Sequence, residues 1–309
     1  MTAAAIGPSA RVGFVGLGNM GRPMAHCLAG AGYALAVNDL DAKRSADFIA
    51  SHRAEAPASL AALAEGCDAV ITILPDGKAV RAVVLGEGGA RNDCLAAGMK
   101  PGSVLIDMSS SSPVDTRALA AALAERGIAL VDAPVSGGVK RAIDGTLATM
   151  VGGDAKDVER CRPVLAAMCK FIYPTGPVGS GHAMKALNNL VSGAGFWIAA
   201  EAMLVGKHFG LNPETMVDVL NASSGRNNST ENKIKQQILS RAFGSGFSIG
   251  LMAKDLSIAG ELAASAGSFA PLTRECVAQW VKAAAEMGGG ADHTMAVKYL
   301  ERLNGEELK

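Results

Sequence analysis

Lys185 and Asn189 stand four residues apart and would share one face of a helix. A lysine amine in an apolar setting can have its proton affinity lowered into the working range of a general acid or base. The stretch around it is strongly apolar, which argues against the ordinary fate of a solvated lysine. Gly181, one turn earlier on that face, is read as leaving room for a ligand. A second constellation is Gly16-Leu17-Gly18-Asn19-Met20-Gly21, a G-x-G-x-x-G turn between a candidate strand and a candidate helix. Its first glycine permits a tight turn. The second lets the backbone approach a pyrophosphate, and the third allows close helix–strand packing. The free N–H groups of the following helix would face the phosphate charge.

Asp39 ends the next apolar run, where a carboxylate accepts hydrogen bonds from the adenine ribose hydroxyls and repels a 2′-phosphate. NAD is therefore expected over NADP, with Lys43 and Arg44 placed to soften that preference. A turn residue before a helix is the alternative for Asp39, and Asp41 competes for that capping role. Ser136, Gly137 and Gly138 follow Asp132-Ala133-Pro134-Val135 at the end of a candidate strand. A hydroxyl and successive backbone N–H groups there can hold a carboxylate, where open α/β sheets bind ligands. Taken alone, a plain loop is the better explanation of this turn. Lys254-Asp255-Leu256 opens a late helix. A cation there could approach cofactor or substrate, although spacing alone favours an exposed ion pair.

Other chemistries are not supported. The five histidines are dispersed, with no H-x-x-x-H or H-E-x-x-H, so no metal site is expected. None of Tyr33, Tyr173 and Tyr299 has a lysine four residues later, which removes the Y-x-x-x-K pair of another large dehydrogenase class. No G-x-x-x-x-G-K-[ST] occurs. The six cysteines form no C-x-x-C pair and are read as reduced thiols of a cytoplasmic protein. Lys+Arg and Asp+Glu both total 29, and this zero balance argues against a nucleic-acid partner. Residues 1–10 lack a basic stretch followed by an apolar one, so no signal peptide is expected. The most apolar window, 187–206, is interrupted by Asn188, Asn189, Ser192 and Glu201 and reads as a buried helix, with no membrane partner.

These residues need a scaffold, and 309 residues predict two domains. With 49% hydrophobic and 19% charged residues, the chain can bury a sizeable core and is not disordered. Near-continuous apolar runs at 11–17, 34–39, 67–74, 103–109, 129–135 and 147–152 suit a parallel sheet covered on both faces. Helical patterns at 20–30, 57–65 and 113–126 alternate with them, the last with Ser112 as N-cap and Pro113 in its first turn. This rhythm predicts an α/β fold, a doubly wound Rossmann-type domain over residues 1–177. The Gly/Pro cluster 173–181 marks its end. An all-α domain over 178–309 follows, with helices at 182–209, 213–221, 230–240, 251–266, 271–286 and 294–303. A helix apolar all round wants burial, which suggests more than a monomer.

In order and spacing, four motifs resemble those of the β-hydroxyacid dehydrogenase family, on the branch of 3-hydroxyisobutyrate dehydrogenase and tartronate semialdehyde reductase. They are the stretch 13–24, the stretch 132–138, the stretch 181–189 and Lys254-Asp255-Leu256. The resemblance implies a Rossmann-type domain followed by a helical one, in homodimers or homotetramers built through the helical part. It makes Lys185 the catalytic lysine, with Ser136, Gly137 and Gly138 on the substrate carboxylate and Asn189 orienting the substrate. It places the Gly16–Gly21 turn, Leu74, Pro75 and Lys254 on the dinucleotide, with Ser110 at its nicotinamide end. The implied activity is reversible NAD-dependent oxidation of the hydroxyl of a small, carboxylate-bearing 3-hydroxy acid. The alternatives are NAD(P)H-dependent reduction of a semialdehyde, such as tartronate or succinic semialdehyde, and non-catalytic dinucleotide binding. Related imine reductases generally lack this lysine, and the chain is far too short for a typical 6-phosphogluconate dehydrogenase.

Overall fold

The structure, a computed structural model, describes residues 4–87 and 93–309. The signal-peptide expectation for 1–10 thus lies partly outside the described residues. The chain divides into two compact units, Met1–Lys185 and Ala186–Lys309.

In the first unit the apolar runs become β1 (Arg11–Val15), β2 (Ala34–Asn38), β3 (Ala54–Glu55), β4 (Ala69–Thr72), β5 (Val104–Asp107), β6 (Ala129–Asp132), β7 (Val135–Ser136), β8 (Leu147–Gly152) and β9 (Cys169–Gly176). The helices between them are α1 (Gly21–Gly30), α2 (Ala42–Ile49), α3 (Leu60–Ala64), α4 (Gly77–Leu85), α5 (Leu95–Gly98), α6 (Pro113–Ala124), α7 (Gly138–Ile143) and α8 (Ala155–Ala166). The sheet runs β3-β2-β1-β4-β5-β6-β8-β7, with β9 on β8. From β3 to β6 every pairing is parallel. This is the doubly wound order, and it reverses between β1 and β4, where such sheets bind dinucleotides. Alternate residues feed two cores. Val12, Phe14, Ile71 and Ile106 pack on one face. Val15, Val70 and Leu105 pack on the other. Burial on both faces is why the strands read as continuous apolar runs.

Several expectations need correction. The run 129–135 is two strands, because Pro134 has no N–H to continue a ladder. The Ala133 and Pro134 carbonyls instead accept from the Thr149 hydroxyl at 2.9 and 3.1 Å. The run 147–152 is not part of the parallel set: β8 lies antiparallel to β6 and β7. The cluster 173–181 begins inside β9, where Pro174 is tolerated in a strand whose described pairing is with β8 alone. Ser112 stands at the N-cap of α6, but its side chain makes no capping bond, while Pro113 takes the first turn as expected.

The second unit begins within α9 (Ser180–Phe209) and continues with α10 (Pro213–Ala222), α11 (Asn228–Asn232), α12 (Ile249–Ser265), α13 (Pro271–Met287) and α14 (Ala296–Asn304). The predicted helix 230–240 is instead the end of α11 and a π-helical segment, Ile234–Leu239. The core gathers Phe196, Trp197, Met203, Leu256 and Trp280. The Trp280 indole N–H donates to the Gly193 carbonyl at 3.2 Å. Among the described residues, α9 alone is long and apolar enough to cross a membrane, and half of its most apolar window is buried in the fold.

Candidate functional site

The turn after β1 is built from strain and close approach. Gly16 has φ +102, and a Cβ there would strike the Ile73 carbonyl. A Cβ on Gly21 would strike the Gly16 carbonyl, so the first turn of α1 lies directly on the strand end. Gly18 differs: the nearest atom to a Cβ there is Nη1 of Arg44 at 3.8 Å. The protein's own packing does not require that glycine, whereas a pyrophosphate against the backbone would. No side chain caps α1, and its first turn holds no acidic residue, which leaves its N-terminus suited to an anion. The half-buried Met20 and exposed Asn19 complete the turn.

Asp39 fixes this turn from β2. Its Oδ2 accepts from the Leu17 N–H at 2.7 Å, and Oδ1 accepts from the Asp41 N–H at 2.9 Å. Each oxygen retains a lone pair for a further donor. Arg44 stands 3.6 Å from Asp39 and 3.5 Å from Asp41. Asp41 takes the capping role: its side chain accepts from the Lys43 N–H at the start of α2. On the far side of the turn, the Leu74 N–H donates to the Ser109 hydroxyl at 2.9 Å. Exposed Pro75 follows, and half-buried Ser110 follows Ser109.

Asp132 organises the other end of the unit. Its Oδ1 accepts from the Gly179 N–H at 2.7 Å, and its Oδ2 accepts from the His182 N–H at 2.9 Å. The carboxylate thereby caps α9, the helix that carries Lys185 near its start. The same strand leads to the predicted substrate turn. Ser136 pairs with Ala148 across β7 and β8, and Gly137 and Gly138, with φ +133 and +69, open α7. Both glycines are exposed, and nothing lies within 4 Å of where a Gly138 Cβ would sit.

Gly181 corrects the sequence reading. It is buried, and a Cβ there would strike the Met150 carbonyl, with the Asp132 carbonyl at 2.7 Å. The glycine lets α9 start against β6 and β8; it does not open space for a ligand. His182, one of the five histidines that form no metal motif in the sequence, is buried in a polar junction. Its Nδ1 lies 2.8 Å from the Thr116 hydroxyl and its Nε2 lies 3.0 Å from the Ser109 carbonyl. Asp107, also buried, accepts from the Thr72 hydroxyl, the Ser109 N–H and the Ser111 hydroxyl. A run of acids and hydroxyls at strand ends, Asp107 to Ser112 and Asp132, was the available signal. Only the fold shows that these groups meet.

In the second unit Asn189 is buried and held at both ends of its amide. Its Nδ2 donates to Asp255 Oδ2 at 2.6 Å, and its Oδ1 accepts from Asn188 Nδ2 at 3.1 Å. Asp255 Oδ1 lies 3.2 Å from Lys254 Nζ. The Lys254–Asp255 ion pair expected from spacing is present, but its acid is buried and half of it serves Asn189. Among the described residues no group of three or more His, Cys, Asp or Glu is gathered as a metal site would need.

Residues 11–176 match the family model of the NAD-binding domain of 6-phosphogluconate dehydrogenase. Residues 179–300 match the model described as NAD-binding of NADP-dependent 3-hydroxyisobutyrate dehydrogenase. The chain is 38% identical over 298 residues to 2-(hydroxymethyl)glutarate dehydrogenase of Eubacterium barkeri, covering 96% of this chain and 97% of that one. It is 38% identical over 254 residues to 3-hydroxyisobutyrate dehydrogenase of Pseudomonas aeruginosa, covering 80% and 83%. A solved structure of Mycobacterium tuberculosis 3-hydroxyisobutyrate dehydrogenase with L-serine superposes with a TM-score of 0.85 at 32% identity, covering 94% and 99%.

Proposed function

The chain belongs to the β-hydroxyacid dehydrogenase family of NAD(P)-binding oxidoreductases, and from that premise we propose that it reversibly oxidises the hydroxyl of a small 3-hydroxy acid, with Lys185 as general acid and base. The observation that carries the reading is the double use of Asp132: one residue caps the helix of Lys185 and ends the strand that leads to Ser136, Gly137 and Gly138. In this reading the 136–138 turn binds the substrate carboxylate and Asn189 orients the hydroxyl end. Lys185 takes the hydroxyl proton during oxidation and returns it to the developing alkoxide in reverse. The nicotinamide, when bound, accepts and donates the hydride. The names of the relatives reported above, with the L-serine of the solved structure, share a hydroxymethyl group one carbon from a carboxylate. A 2-substituted 3-hydroxypropionate is accordingly the substrate class we propose.

The Gly16–Gly21 turn, with Leu17, Asn19, Met20, Leu74, Pro75, Ser110 and Lys254, makes the dinucleotide contacts in this reading. The open position at Gly18 and the uncapped start of α1 support it. NAD is the preferred form, because a 2′-phosphate would meet the Asp39 carboxylate and because Arg44 already pairs with Asp39 and Asp41. Residues 1–177 form the dinucleotide-binding domain, which also carries the 136–138 turn, and 178–309 form the domain of substrate and self-association, which also carries Lys254. The partner is a second copy, in a homodimer or homotetramer. Val191, Ile198 and Val205, spaced by seven along α9, are 74%, 61% and 69% exposed, an apolar seam suited to a facing helix. Six free thiols support a reducing, cytoplasmic setting.

The test is the initial rate of NADH formation across 3-hydroxyisobutyrate, 2-(hydroxymethyl)glutarate, L-serine and glycerate, with Lys185→Ala beside the wild type. One strong responder is expected, together with a loss of ~10²–10⁴ in kcat for the variant at retained NAD affinity. A folded Lys185→Ala enzyme with wild-type turnover would overturn the assignment.

A further inference from the structure

We propose that His182 is a positioning residue for Lys185, a buried imidazole protonated on both nitrogens that ties the cofactor-side loop, the strand of the substrate turn and the start of α9 into one junction. The inference rests on the reading of Lys185 as the acid–base group. Its evidence is separate and lies wholly within the unit Met1–Lys185.

The proton count follows from the acceptors. The Ser109 carbonyl, 3.0 Å from Nε2, can only accept, so Nε2 carries a proton. At the other nitrogen the Thr116 hydroxyl lies 2.8 Å from Nδ1 and also 2.9 Å from the Ser112 carbonyl. That carbonyl, too, can only accept. The single hydroxyl proton of Thr116 goes to Ser112, and Nδ1 must donate for every contact to be a hydrogen bond. A charge buried this deeply needs compensation. It has two carboxylates: Asp107 Oδ2 stands 3.7 Å from Nε2, and Asp132 Oδ2 stands 3.8 Å from Nδ1. Asp107 faces the ring from the end of β5, Asp132 from β6 and Thr116 from α6. Arg117 of α6 is spent on the Val178 carbonyl at 3.2 Å, at the surface. On its own helix the next ionisable group is Lys185, three residues on.

The junction reaches Leu74, Ser110, the approach to Ser136 and the start of α9. Ser109 binds His182 through its carbonyl and the Leu74 N–H through its hydroxyl, and it directly precedes Ser110. Asp132 binds the backbone of His182 and ends β6, from which the chain runs on to Ser136. Lys185 follows one turn later on the helix so held. A second consequence is electrostatic. Replacing a cation one turn from Lys185 by a neutral side chain removes a repulsion that acts against the charged amine.

Imidazole ¹⁵N spectra of the ¹⁵N-histidine-labelled, wild-type enzyme test the proton count, with the His182 signals identified by their loss in His182→Gln. Both nitrogens are expected in the protonated range at pH 7. One nitrogen in the unprotonated range would overturn the proposal; should His182→Gln not fold, the His182 signals are identified by elimination, from single substitutions of the other four histidines. In folded His182→Gln, kcat should fall ~10- to 100-fold with a smaller change in KM, as expected of a displaced reacting group. The rising limb of the pH–rate profile for oxidation should move to higher pH. A purely structural histidine would lower stability and leave that limb in place, and so would overturn the proposal. Failure of the parent reading looks different: Lys185→Ala would remain active while the ¹⁵N signature stood.

Discussion

Two histidines, one in each unit, are buried to almost the same depth, His182 at 1% and His293 at 3% exposure. Their surroundings are opposed. His182 meets a partner at each nitrogen and two carboxylates beyond them. His293 has its Nδ1 among the Ser245 hydroxyl at 2.9 Å and the Phe247 carbonyl at 3.2 Å, while its Nε2 is buried with no partner among the described residues. Its ring lies among Phe196, Phe247 and Trp280. Burial, reinforced by the charge of Lys233 and opposed by Asp292, pushes its pKa down to about 4. Equal depth of burial thus goes with opposite surroundings: paired carboxylates in the first unit, an apolar wall and the Lys233 ammonium, opposed by Asp292, in the second.

The largest expected effect breaks the first member of this pair. Asp132→Ala removes two backbone acceptors from the start of α9 and one of the two carboxylates beside His182. Stripping one side of a buried charged arrangement typically costs ~3–5 kcal/mol. Urea unfolding at pH 7 measures it. A loss below ~1 kcal/mol, the value of a lost cap alone, would mean that no buried charge depends on Asp132.

The second member gives a pH signature. The folded pKa of His293, about 4, lies below the ordinary 6.5, so between those values the unfolded chain binds the proton and the folded chain does not. Its stabilising contribution is complete above pH 6.5 and is lost as pH falls toward 4, amounting to at most ~3 kcal/mol. Stability measured by denaturant from pH 7.5 to pH 4 should decline in the wild type and decline less in His293→Asn. Identical slopes would place the titration elsewhere.

The contrast also separates what was legible in the sequence from what was not. The Gly16–Gly21 turn was legible because its constraints are local: Gly21 packs on Gly16, and strand and helix flank both. The helices after α9 were legible for the same reason, each having its own periodicity, except at 230–240, where α11 ends and a π-helical segment follows. Gly181 was misread because its constraint comes from Met150 and Asp132, distant in sequence. β9 was hidden because Pro174 and Gly176 look like breakers, and only its place beside β8 makes them tolerable. Asp132 looked like part of a substrate motif. Its helix-capping role needs the backbone of Gly179 and His182, which the chain brings back only after α7, β8, α8 and β9. His182 and His293 carried no distinguishing signal at all, since their partners arrive from other elements.

The smallest expected effect sharpens the comparison by editing the second environment toward neutrality. Lys233, half-buried, has its own pKa lowered by burial, with Asp292 opposing that shift. It is the charge that adds to burial in depressing His293. Lys233→Met keeps a long apolar side chain and removes the ammonium. The burial contribution, the largest cause, remains, so the pKa of His293 should rise from about 4 only part of the way toward 6.5. The acid-side loss of stability should then shrink, and its lower bound should move up in pH. The imidazole ¹⁵N titration of His293 in Lys233→Met reads this directly. A midpoint unchanged from the wild type would show that the apolar wall of Phe196, Phe247 and Trp280 suffices to keep this histidine neutral. The contrast with His182 would then rest on its carboxylates alone.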